Sequence, residues 1–371
     1  LDPASAATAV AGWVDAYQPD AVWGFSKADD LLGDGPSLAA AAESVLLPTS
    51  GSTGSPKFVR LAAASLYANA EQIAEALDIA PGDRALGHLP LFYSFGLSVL
   101  NSHLLTGACT VLTSASAMRP EFWSAMVDQN VSSLPGVPYS YEMFIRVGLL
   151  EKDLPHLRDL TQAGGRMATE RIIEIHEAMA PKGVRLWIMY GQTEACARIS
   201  VLPADQLPEA AGSVGYPLPG GSIDVVDPDD SGEGELVYTG PNVMLGYCTD
   251  RQSLSGLDEC HGRLHTGDLG RLDDQGRMWI TGRLKRIAKV FGTRVSLDDV
   301  EAQLASFGTV AAVDDEVGVT VFVESDDDID GLGRKMERHL GFPARSVRAV
   351  AVAHLPTTAA GKIDYQALQN P

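Results

Sequence analysis

The chain has 371 residues, of which 45% are hydrophobic, and its formal net charge at pH 7 is −20. This length suggests two domains with a sizeable core, and the acidic charge argues against nucleic acid as a partner because nucleic acids are themselves anionic. No apolar run reaches membrane-spanning length and no secretory signal is visible, so we expect a cytoplasmic protein with no membrane partner.

Apolar runs that alternate with helix-like segments predict an α/β fold, with mixed sheets in a large N-terminal domain. Residues 45–48 have the pattern of a short buried strand, and Ser65 is predicted to cap the helix that follows. Further along, the pattern predicts a helix at 171–179 and strands at 186–189 and 235–238.

The pattern changes after Gly240, where short strands and turn signals become frequent. Asp273 to Gly276 is typical of a turn before a strand. A small α+β unit is predicted from about Leu284 onward. We therefore expect an N-terminal domain of residues 1–283 and a mobile C-terminal domain of residues 284–371. The elements predicted after the turn are a strand at 278–281, a helix at 295–304, a strand at 319–323, a helix at 331–340 and a strand at 347–353.

A loop rich in glycine and hydroxyl residues directly follows the first predicted strand. Glycines let the backbone approach an anion, hydroxyls donate hydrogen bonds and a lysine adds positive charge. The spacing is not that of a Walker loop, and the composition alone suits a flexible linker equally well. The preceding strand and the Pro-Lys ending favour a phosphate-binding loop. Its residues are Thr49, Ser50, Gly51, Ser52, Thr53, Gly54, Ser55, Pro56 and Lys57.

A second loop follows the predicted strand at 186–189. It places the hydroxyl of Thr193 beside the carboxylate of Glu194, a pair that suits a phosphate with its Mg²⁺. A surface turn is the alternative interpretation. The loop begins with Tyr190, Gly191 and Gln192.

Three further segments carry residues suited to a nucleotide. Gly164, Gly165 and Arg166 would let a flat base pass over bare backbone. Asp268 offers a carboxylate for ribose hydroxyls, and Arg283 offers a permanent cation nearby in sequence. Taken singly, each of these residues is better explained by a turn, a helix cap or a salt bridge.

A lysine near the end of the chain, Lys362, ends a loop that contains proline and glycine. A mobile loop of this kind can deliver a cation to a site in another domain. Surface loop lysines are common, so a solvated lysine is the alternative. The histidines do not cluster, and no metal-ligand spacing of the zinc type is present.

Together and in this order, these segments resemble the adenylate-forming superfamily of acyl- and aryl-CoA ligases, peptide-synthetase adenylation domains and luciferases. The resemblance extends from residue 45 to the end of the chain. The matching segments are TSGSTGSPK at 49–57, LPLFYSFGLS at 89–98, GVPYSYEMF at 136–144, AGGRM at 163–167, YGQTEA at 190–195, GELVYTGPNVMLGY at 234–247, HTGD at 265–268, GRLKRIAKVFGTRV at 282–295 and LPTTAAGK at 355–362.

The resemblance implies ATP-dependent adenylation of an organic acid, with pyrophosphate release and transfer of the acyl group to a thiol. ATP and Mg²⁺ are the implied cofactors, and CoA is one candidate acceptor. By this resemblance the loop at 49–57 would hold the β- and γ-phosphates, Thr193 would contact phosphate and Glu194 would bind Mg²⁺. Lys362 would be the catalytic lysine that bridges the acid and the α-phosphate, and Lys285 would lie at the hinge.

The resemblance also assigns the remaining parts of the site. The segment from Gly164 to Arg166 would frame the adenine together with Tyr190, and Gly191 and Gln192 would belong to the ATP-binding site. Asp268 would hold the ribose hydroxyls, with Arg283 beside it. The acid pocket would be lined by Tyr93, Val137, Pro138, Tyr139 and Gly165.

The pocket residues favour an aromatic or short apolar carboxylic acid. Amino-acid-activating members place an aspartate after the phenylalanine of the 89–98 segment, whereas Tyr93 and Ser94 follow Phe92 here. A buried substrate ammonium without a partner would be costly, so an α-amino acid is disfavoured.

Only 48 residues precede the phosphate loop, whereas members of the superfamily usually carry a longer region there. Either the chain is a compact member with a shortened N-terminal region, or part of that region is missing from the sequence. A missing pocket wall would expose apolar surface that a second subunit of a homo-oligomer can cover. Whether the acceptor is CoA, a carrier protein or an amine also stays open. Two other functions remain alternatives: adenylation of a different oxyacid, such as nitrite for attack by an arylamine, and a non-catalytic nucleotide-binding module.

Overall fold

The structure is a computed structural model that describes residues 22–23, 28–29, 44–48, 57–284, 286–290, 293–315, 318–325, 331–357 and 363–369. By internal packing the chain divides into two units. The first comprises Leu1–Ile223 with Tyr238–Leu264, and the second comprises Asp224–Val237 with His265–Pro371. The predicted boundary between residues 283 and 284 stays a prediction.

Strands and helices alternate through most of the first unit, so the predicted α/β class is confirmed. The strands are β1 (Val22–Trp23), β2 (Ala28–Asp29), β3 (Ser44–Pro48), β4 (Phe58–Ala62), β5 (Arg84–Gly87), β6 (Cys109–Leu112), β7 (Ser133–Gly136), β8 (Asp159–Gln162), β9 (Arg185–Tyr190), β10 (Ser200–Leu202), β11 (Tyr216–Pro217), β12 (Ser222–Val226), β13 (Gly234–Thr239), β14 (Gly246–Cys248), β15 (Arg263–Leu272), β16 (Met278–Arg283), β17 (Ile287–Val290), β18 (Thr293–Ser296), β19 (Val310–Asp315), β20 (Gly318–Glu324) and β21 (Val347–Val352). The helices are α1 (Ala63–Ala76), α2 (Ser94–Leu105), α3 (Pro120–Asp128), α4 (Pro138–Arg146), α5 (Thr169–Met179), α6 (Leu297–Gln303), α7 (Leu332–Leu340) and α8 (Tyr365–Gln369).

The main sheet of the first unit has the order β11-β10-β9-β8-β7-β5-β6. Its strands β9, β8, β7, β5 and β6 run parallel, and β10 runs antiparallel to both β9 and β11. The segments after β5, β7, β8 and β9 therefore leave the sheet at one edge, where ligands bind in open α/β sheets. These segments contain Tyr93, Val137, Gly164 and Glu194.

Helices cover both faces of this sheet, as a parallel sheet requires. On β9, Leu186 and Ile188 belong to one buried cluster, and Trp187 and Met189 belong to another. Because successive side chains of a strand point to opposite faces, the two clusters fill the two faces. The first cluster contains buried residues of α3, α4 and α5, and the second contains residues of α1 and α2.

A smaller sheet of order β14-β4-β3 lies in the same unit, and both of its pairings are antiparallel. Strand β3 confirms the strand predicted at 45–48. Lys57 directly precedes β4, so the last residue of the predicted phosphate loop is fixed next to this sheet.

The second unit contains a two-stranded sheet and a three-stranded sheet, and it has a hydrophobic core of its own. Strands β17 and β18 form an antiparallel hairpin, while β20 pairs antiparallel with β19 and parallel with β21. Val300, Leu304, Val321 and Met336 lie in its buried cluster. The predicted α+β character of this region is therefore confirmed. A four-stranded sheet of order β12-β13-β15-β16 completes the fold.

Most predicted elements are confirmed, but two helix starts are wrong. Ser65 is not a cap, because α1 begins at Ala63 and the Ser65 hydroxyl donates to the Val243 carbonyl oxygen at 3.2 Å. The helix predicted from residue 295 begins at Leu297, because Val295 pairs with Ala288 in the β17–β18 hairpin. In the described part of the chain, every helix is too short or too polar to span a membrane.

Candidate active site

The loop after β9 is folded tightly against its own end. The Ile199 amide donates to the Tyr190 carbonyl oxygen at 2.8 Å, which closes the loop between β9 and β10. A methyl group at Gly191 would overlap with the Ala197 carbonyl oxygen, so only glycine fits there. Thr193 and Glu194 lie in a short 3₁₀ turn inside this closed loop. Their backbone is thereby held in place at the edge of the sheet.

The carboxylate of Glu194 is oriented by Tyr247. The Tyr247 hydroxyl donates to Glu194 Oε1 at 3.0 Å, and the Met244 amide donates to the Glu194 carbonyl oxygen at 2.8 Å. Burial and then the negative charge of Glu194 raise the pKa of Tyr247, so its hydroxyl stays a donor. The ammonium of Lys57 lies 3.4 Å from the centre of the Tyr247 ring. The structure therefore brings the predicted phosphate lysine and the predicted metal carboxylate together around one tyrosine.

Thr193 contacts a second hydroxyl. Its Oγ1 lies 3.2 Å from the Oγ of Ser94, the first residue of α2. Ser94 directly follows Tyr93, so this contact links the Thr193–Glu194 turn to the predicted acid pocket.

Most of the predicted acid-pocket residues lie together. Gly164 has a φ of +83°, and a methyl group there would overlap with the Tyr93 hydroxyl and lie 3.1 Å from Val137 Cγ1. A methyl group at Gly165 would lie 3.2 Å from Pro138 Cγ. Burial raises the pKa of Tyr93 to about 12, so this side chain is neutral at physiological pH. We call Tyr93, Val137, Pro138, Gly164 and Gly165 the acid slot. The name follows the predicted role of four of these residues, whereas Gly164 is predicted to frame the adenine, and both roles stay predictions.

Two of the predicted residues are more exposed. Tyr139, in the first turn of α4, is 58% exposed, and Arg166 is also exposed. The Gly165 carbonyl oxygen accepts a hydrogen bond from Gln162 Nε2 at 2.8 Å, which fixes the glycine backbone beside Arg166. The roles of Tyr139 in the pocket and of Arg166 at the adenine stay predictions.

Asp268 and Arg283 form an ion pair in the second unit. They are opposite each other in the antiparallel pair β15–β16, and Arg283 Nε donates to Asp268 Oδ1 at 2.8 Å. The Asp268 amide donates to Thr266 Oγ1 at 3.1 Å, and Thr266 Oγ1 donates to the Leu236 carbonyl oxygen at 2.6 Å. The structure therefore joins the two predicted ribose residues, and their contact with ribose stays a prediction.

Several predicted residues lie outside the described residues, so their roles also stay predictions. They are the predicted hinge residue Lys285, the predicted catalytic Lys362 and the phosphate-loop residues Thr49, Ser50, Gly51, Ser52, Thr53 and Gly54.

The residues around Glu194 fit a magnesium ion that arrives with a nucleotide. Mg²⁺ prefers oxygen ligands and is commonly held by one or two carboxylates together with substrate phosphates. Glu194 supplies one oriented carboxylate. No group of three or more histidine, cysteine, aspartate or glutamate side chains within the described segments could hold a metal by itself. The phosphates would therefore have to complete the coordination.

Reasoning from motifs missed two residues that contact the predicted site residues, Ser94 and Tyr247. Tyr247 is the last residue of the GELVYTGPNVMLGY segment, so its position was visible although its contact was not. Ser94 lies in the 89–98 segment.

Comparisons with known proteins agree with this geometry. The family model described as AMP-binding enzyme matches residues 8–248. Indoleacetate–CoA ligase from Aromatoleum aromaticum is 28% identical over 356 residues, which cover 91% of this chain and 69% of that protein. 4-Coumarate–CoA ligase 2 from Oryza sativa subsp. japonica is 30% identical over 370 residues, which cover 91% of this chain and 64% of that protein.

Solved structures give the same result. o-Succinylbenzoate CoA synthetase from Bacillus subtilis, in complex with its acyl-adenylate intermediate, aligns with a TM-score of 0.71 at 25% identity, over 86% of this chain and 67% of that chain. The same enzyme in complex with ATP and magnesium ion aligns with a TM-score of 0.68 at 26% identity, over 86% of this chain and 68% of that chain. The chain thus spans about two thirds of the length of the relatives it matches.

The fold, the closed Thr193–Glu194 loop and these relatives define an adenylate-forming enzyme. The chain belongs to the AMP-binding enzyme family. The resemblance found in the sequence is therefore confirmed.

Proposed function

We propose that the chain adenylates an organic carboxylic acid with ATP and then transfers the acyl group to the thiol of CoA. The observation that carries this proposal is the assembly of Lys57, Tyr247 and Glu194. Through Thr193 and Ser94 this assembly adjoins the acid slot, which supports a site where residues predicted to bind phosphate and residues predicted to bind the acid act together.

The chemistry explains why these groups are needed. A carboxylate oxygen of the acid bonds to the α-phosphorus of ATP, the bond from that phosphorus to the β-phosphate oxygen breaks, and pyrophosphate leaves. Two anions must approach each other, so catalysis consists mainly of positioning and charge neutralisation. Lys57 and the Thr193 hydroxyl would bind phosphate, and Glu194, oriented by Tyr247, would hold Mg²⁺. The bound ion neutralises charge on the phosphates and on the leaving pyrophosphate.

The second half-reaction completes the transfer. The thiolate attacks the carbonyl carbon of the acyl-adenylate, the bond between that carbon and the phosphate oxygen breaks, and AMP leaves. We propose that Lys362 supplies a cation at the acid and the α-phosphate during adenylation, and that Asp268 holds the ribose. CoA is favoured as the acceptor because the curated relatives described above are CoA ligases.

The acid slot supports a carboxylic acid with an aromatic or apolar body. Val137 is buried, and Tyr93 adds a neutral ring. Neither of the two alternatives from the sequence gains support from the comparisons, because the relatives described above are named as acid–CoA ligases rather than as nitrite-activating enzymes or binding modules.

Pyrophosphate release tests the proposal directly. The full chain is incubated with ATP and Mg²⁺ and with aromatic acids, short aliphatic acids, α-amino acids or nitrite, each with and without CoA. We expect acid-dependent pyrophosphate with carboxylic acids and an acyl-CoA product when CoA is added. Release of ADP instead of pyrophosphate, or turnover of nitrite alone, would overturn the proposal.

A matched pair of variants ties the activity to the site. Lys57→Met should lower pyrophosphate release by about 10²-fold, the scale of losing one electrostatic contact. Lys182→Met removes an exposed lysine from the same unit and should leave the rate near wild type. Equal rates for the two variants would contradict the role of Lys57.

A further inference from the structure

Arg198 is a buried arginine with no anionic partner among the described residues. The residue is 2% exposed, and its Nε and Nη1 atoms are enclosed and make no hydrogen bond. The guanidinium carbon lies 4.9 Å from the centre of the Phe95 ring. Burial alone lowers the pKa of Arg198 to about 9. Apart from this cation–π contact with Phe95, no described group compensates the charge of the side chain.

The groups around Arg198 bind its backbone, whereas its Nε and Nη1 atoms have no hydrogen-bond partner. The side-chain amides of Asn69 and Asn242 donate to the Arg198 carbonyl oxygen at 2.9 and 3.0 Å. His103 is buried on α2, and its Nδ1 lies 2.9 Å from the Val99 carbonyl oxygen. Burial first, and then the charge of Arg198, lower the pKa of His103. This ring is therefore neutral and does not offset the charge of Arg198.

An unpaired buried charge is costly, and proteins rarely keep one without a purpose. A guanidinium removed from water loses several kcal/mol of solvation, roughly, unless an anion and hydrogen bonds replace the water. Arginine is therefore seldom fully buried unless it is paired. When the protein supplies no anion, a ligand that brings one is the simplest compensation.

The position of Arg198 connects it to the acid slot. The Phe95 ring makes an edge contact with the Tyr93 ring at a centroid distance of 6.2 Å, and Tyr93 lies against Gly164. Phe95 and Val137 belong to the same buried cluster. On the other side, a methyl group at Gly191 would lie 2.7 Å from Arg198 Cα. The Phe95 ring therefore contacts both the Arg198 guanidinium and Tyr93 of the slot, and the Arg198 backbone belongs to the same β9–β10 loop as Glu194.

We propose that Arg198 binds a second anionic group of the substrate, so that the preferred acid carries a carboxylate, or an equivalent anion, remote from the carboxylate that reacts. The planar guanidinium forms paired hydrogen bonds with a carboxylate. The inference rests on the proposed adenylation and narrows its substrate to acids with an apolar or aromatic body and an anionic far end.

Binding at the far end also helps the reaction. Contacts to a part of the substrate that does not react hold the reacting carboxylate in position against the α-phosphate. Loss of the Arg198 contact should therefore lower kcat as well as raise KM for acids with two anionic groups. Acids with a single carboxylate should be affected far less.

Matched acids test this inference. For each acid body, pyrophosphate release is compared for the compound with a terminal carboxylate, its neutral terminal amide and its terminal methyl analogue. We expect wild-type kcat/KM to favour the terminal carboxylate by about 10- to 100-fold, the scale of a hydrogen bond to a charged group. In Arg198→Met this preference should disappear while turnover of the methyl analogue persists. Equal kcat/KM for the three compounds in the wild type would overturn the inference and leave the proposed adenylation intact.

A binding measurement keeps the inference testable if no acid in the panel reacts. A ligand that binds only the folded protein raises its Tm, so the Tm is measured without ATP, with and without each terminal diacid. We expect a diacid to raise the Tm of the wild type, to raise that of Arg198→Lys less and to leave that of Arg198→Met unchanged. No rise in the wild type, or an equal rise in Arg198→Met, would overturn the inference. Arg198→Lys, which keeps a cation, covers the case in which Arg198→Met fails to fold.

Discussion

Each of the two units contains an arginine that lies over an aromatic ring, and the two arginines have different surroundings: Arg198 is buried and Arg286 is partly buried. In the second unit, Arg286 Nε donates to Asp298 Oδ1 at 2.6 Å and Nη2 donates to Glu301 Oε1 at 2.7 Å. Its guanidinium carbon lies 3.6 Å from the centre of the Tyr365 ring. In the first unit, Arg198 has an aromatic neighbour but no described carboxylate partner.

The two pKa values record this difference. Burial lowers the pKa of both arginines, but the negative charges around Arg286, with that of Glu301 the largest, raise its pKa above the ordinary value. A paired buried arginine is part of the fold, and removal of either partner leaves an uncompensated charge. An unpaired buried arginine destabilises the fold, and a bound anionic ligand can offset this destabilisation. The comparison therefore separates an arginine that serves structure from one that serves binding.

The paired arginine and its aromatic neighbour lie close in sequence to the predicted hinge residue and to the predicted catalytic lysine. Arg286 follows Lys285, and Tyr365 comes three residues after Lys362. The Tyr365 hydroxyl donates to Glu301 Oε2 at 3.0 Å, which joins the segment after Lys362 to the same cluster. We expect this cluster to support Lys362 without contacting the substrate.

The largest expected effect tests whether the second unit, which contains the paired Arg286, also contributes a catalytic residue. Lys362→Ala should lower adenylate formation by at least about 10²-fold, the scale of one lost electrostatic contact. ATP affinity should change far less, and pre-formed acyl-adenylate should still be consumed by the acceptor. Lys335→Ala, which removes an exposed lysine from α7, is the control. Adenylation by Lys362→Ala at the wild-type rate would restrict the second unit to a structural role.

The second effect compares the two arginines in stability. Arg286→Met should lower the free energy of unfolding by about 3 kcal/mol, because it leaves Glu301 and Asp298 without their cation. Arg198→Met should leave this free energy unchanged or raise it by about 1 kcal/mol, because it removes an unpaired charge. Urea unfolding of both variants beside the wild type measures the two changes. The opposite order would break the distinction between the two arginines.

A third, smaller effect is a change in the free energy of unfolding at alkaline pH, which we expect for Arg198 and not for Arg286. The pKa of Arg198 in the folded state, about 9, is below the ordinary arginine value, so above pH 9 the unfolded chain binds more protons than the folded chain. Stability must then rise with pH. We expect the wild type to gain about 1 kcal/mol relative to Arg198→Met between pH 9 and pH 10. A stability difference that is constant from pH 7 to pH 10 would contradict the unpaired state of Arg198. Arg286, whose pKa is raised, should show no such gain.

The smallest effect concerns Glu194, a charged group that has a neutral hydrogen-bond donor as its partner and no described ion pair. Glu194 is oriented by the Tyr247 hydroxyl but forms no ion pair with a described cation. Tyr247→Phe should lower adenylation by about 5- to 10-fold, slightly less than the scale of a hydrogen bond to a charged group because Mg²⁺ still holds the carboxylate, and should raise the Mg²⁺ concentration for half-maximal activity. Excess Mg²⁺ should restore most of the rate. Tyr67→Phe, at an exposed position, is the control. A loss that Mg²⁺ does not relieve would point to a packing role for Tyr247.

The sequence allowed the loops that follow the apolar strands to be predicted as candidate binding segments, because glycines, hydroxyls and a carboxylate come directly after these strands. The loops at Gly164 and Glu194 were found in this way. Asp268 and Arg283 were separate candidates, because the β15–β16 register that places them opposite each other is not visible in their spacing. Arg198 could not be predicted as buried, because its burial depends on the packing of Phe95 and the β9–β10 loop.

An isotope measurement tests adenylation most directly. The most active acid, labelled with ¹⁸O in both oxygens of its reacting carboxylate, is incubated with the protein, ATP, Mg²⁺ and CoA. The ¹⁸O content of each product is then measured by mass spectrometry. Since a carboxylate oxygen bonds to the α-phosphorus and stays there when the thiol attacks the carbonyl carbon, we predict one ¹⁸O atom in AMP and the other in the thioester. Label in inorganic phosphate together with ADP, or unlabelled AMP, would contradict the acyl-adenylate.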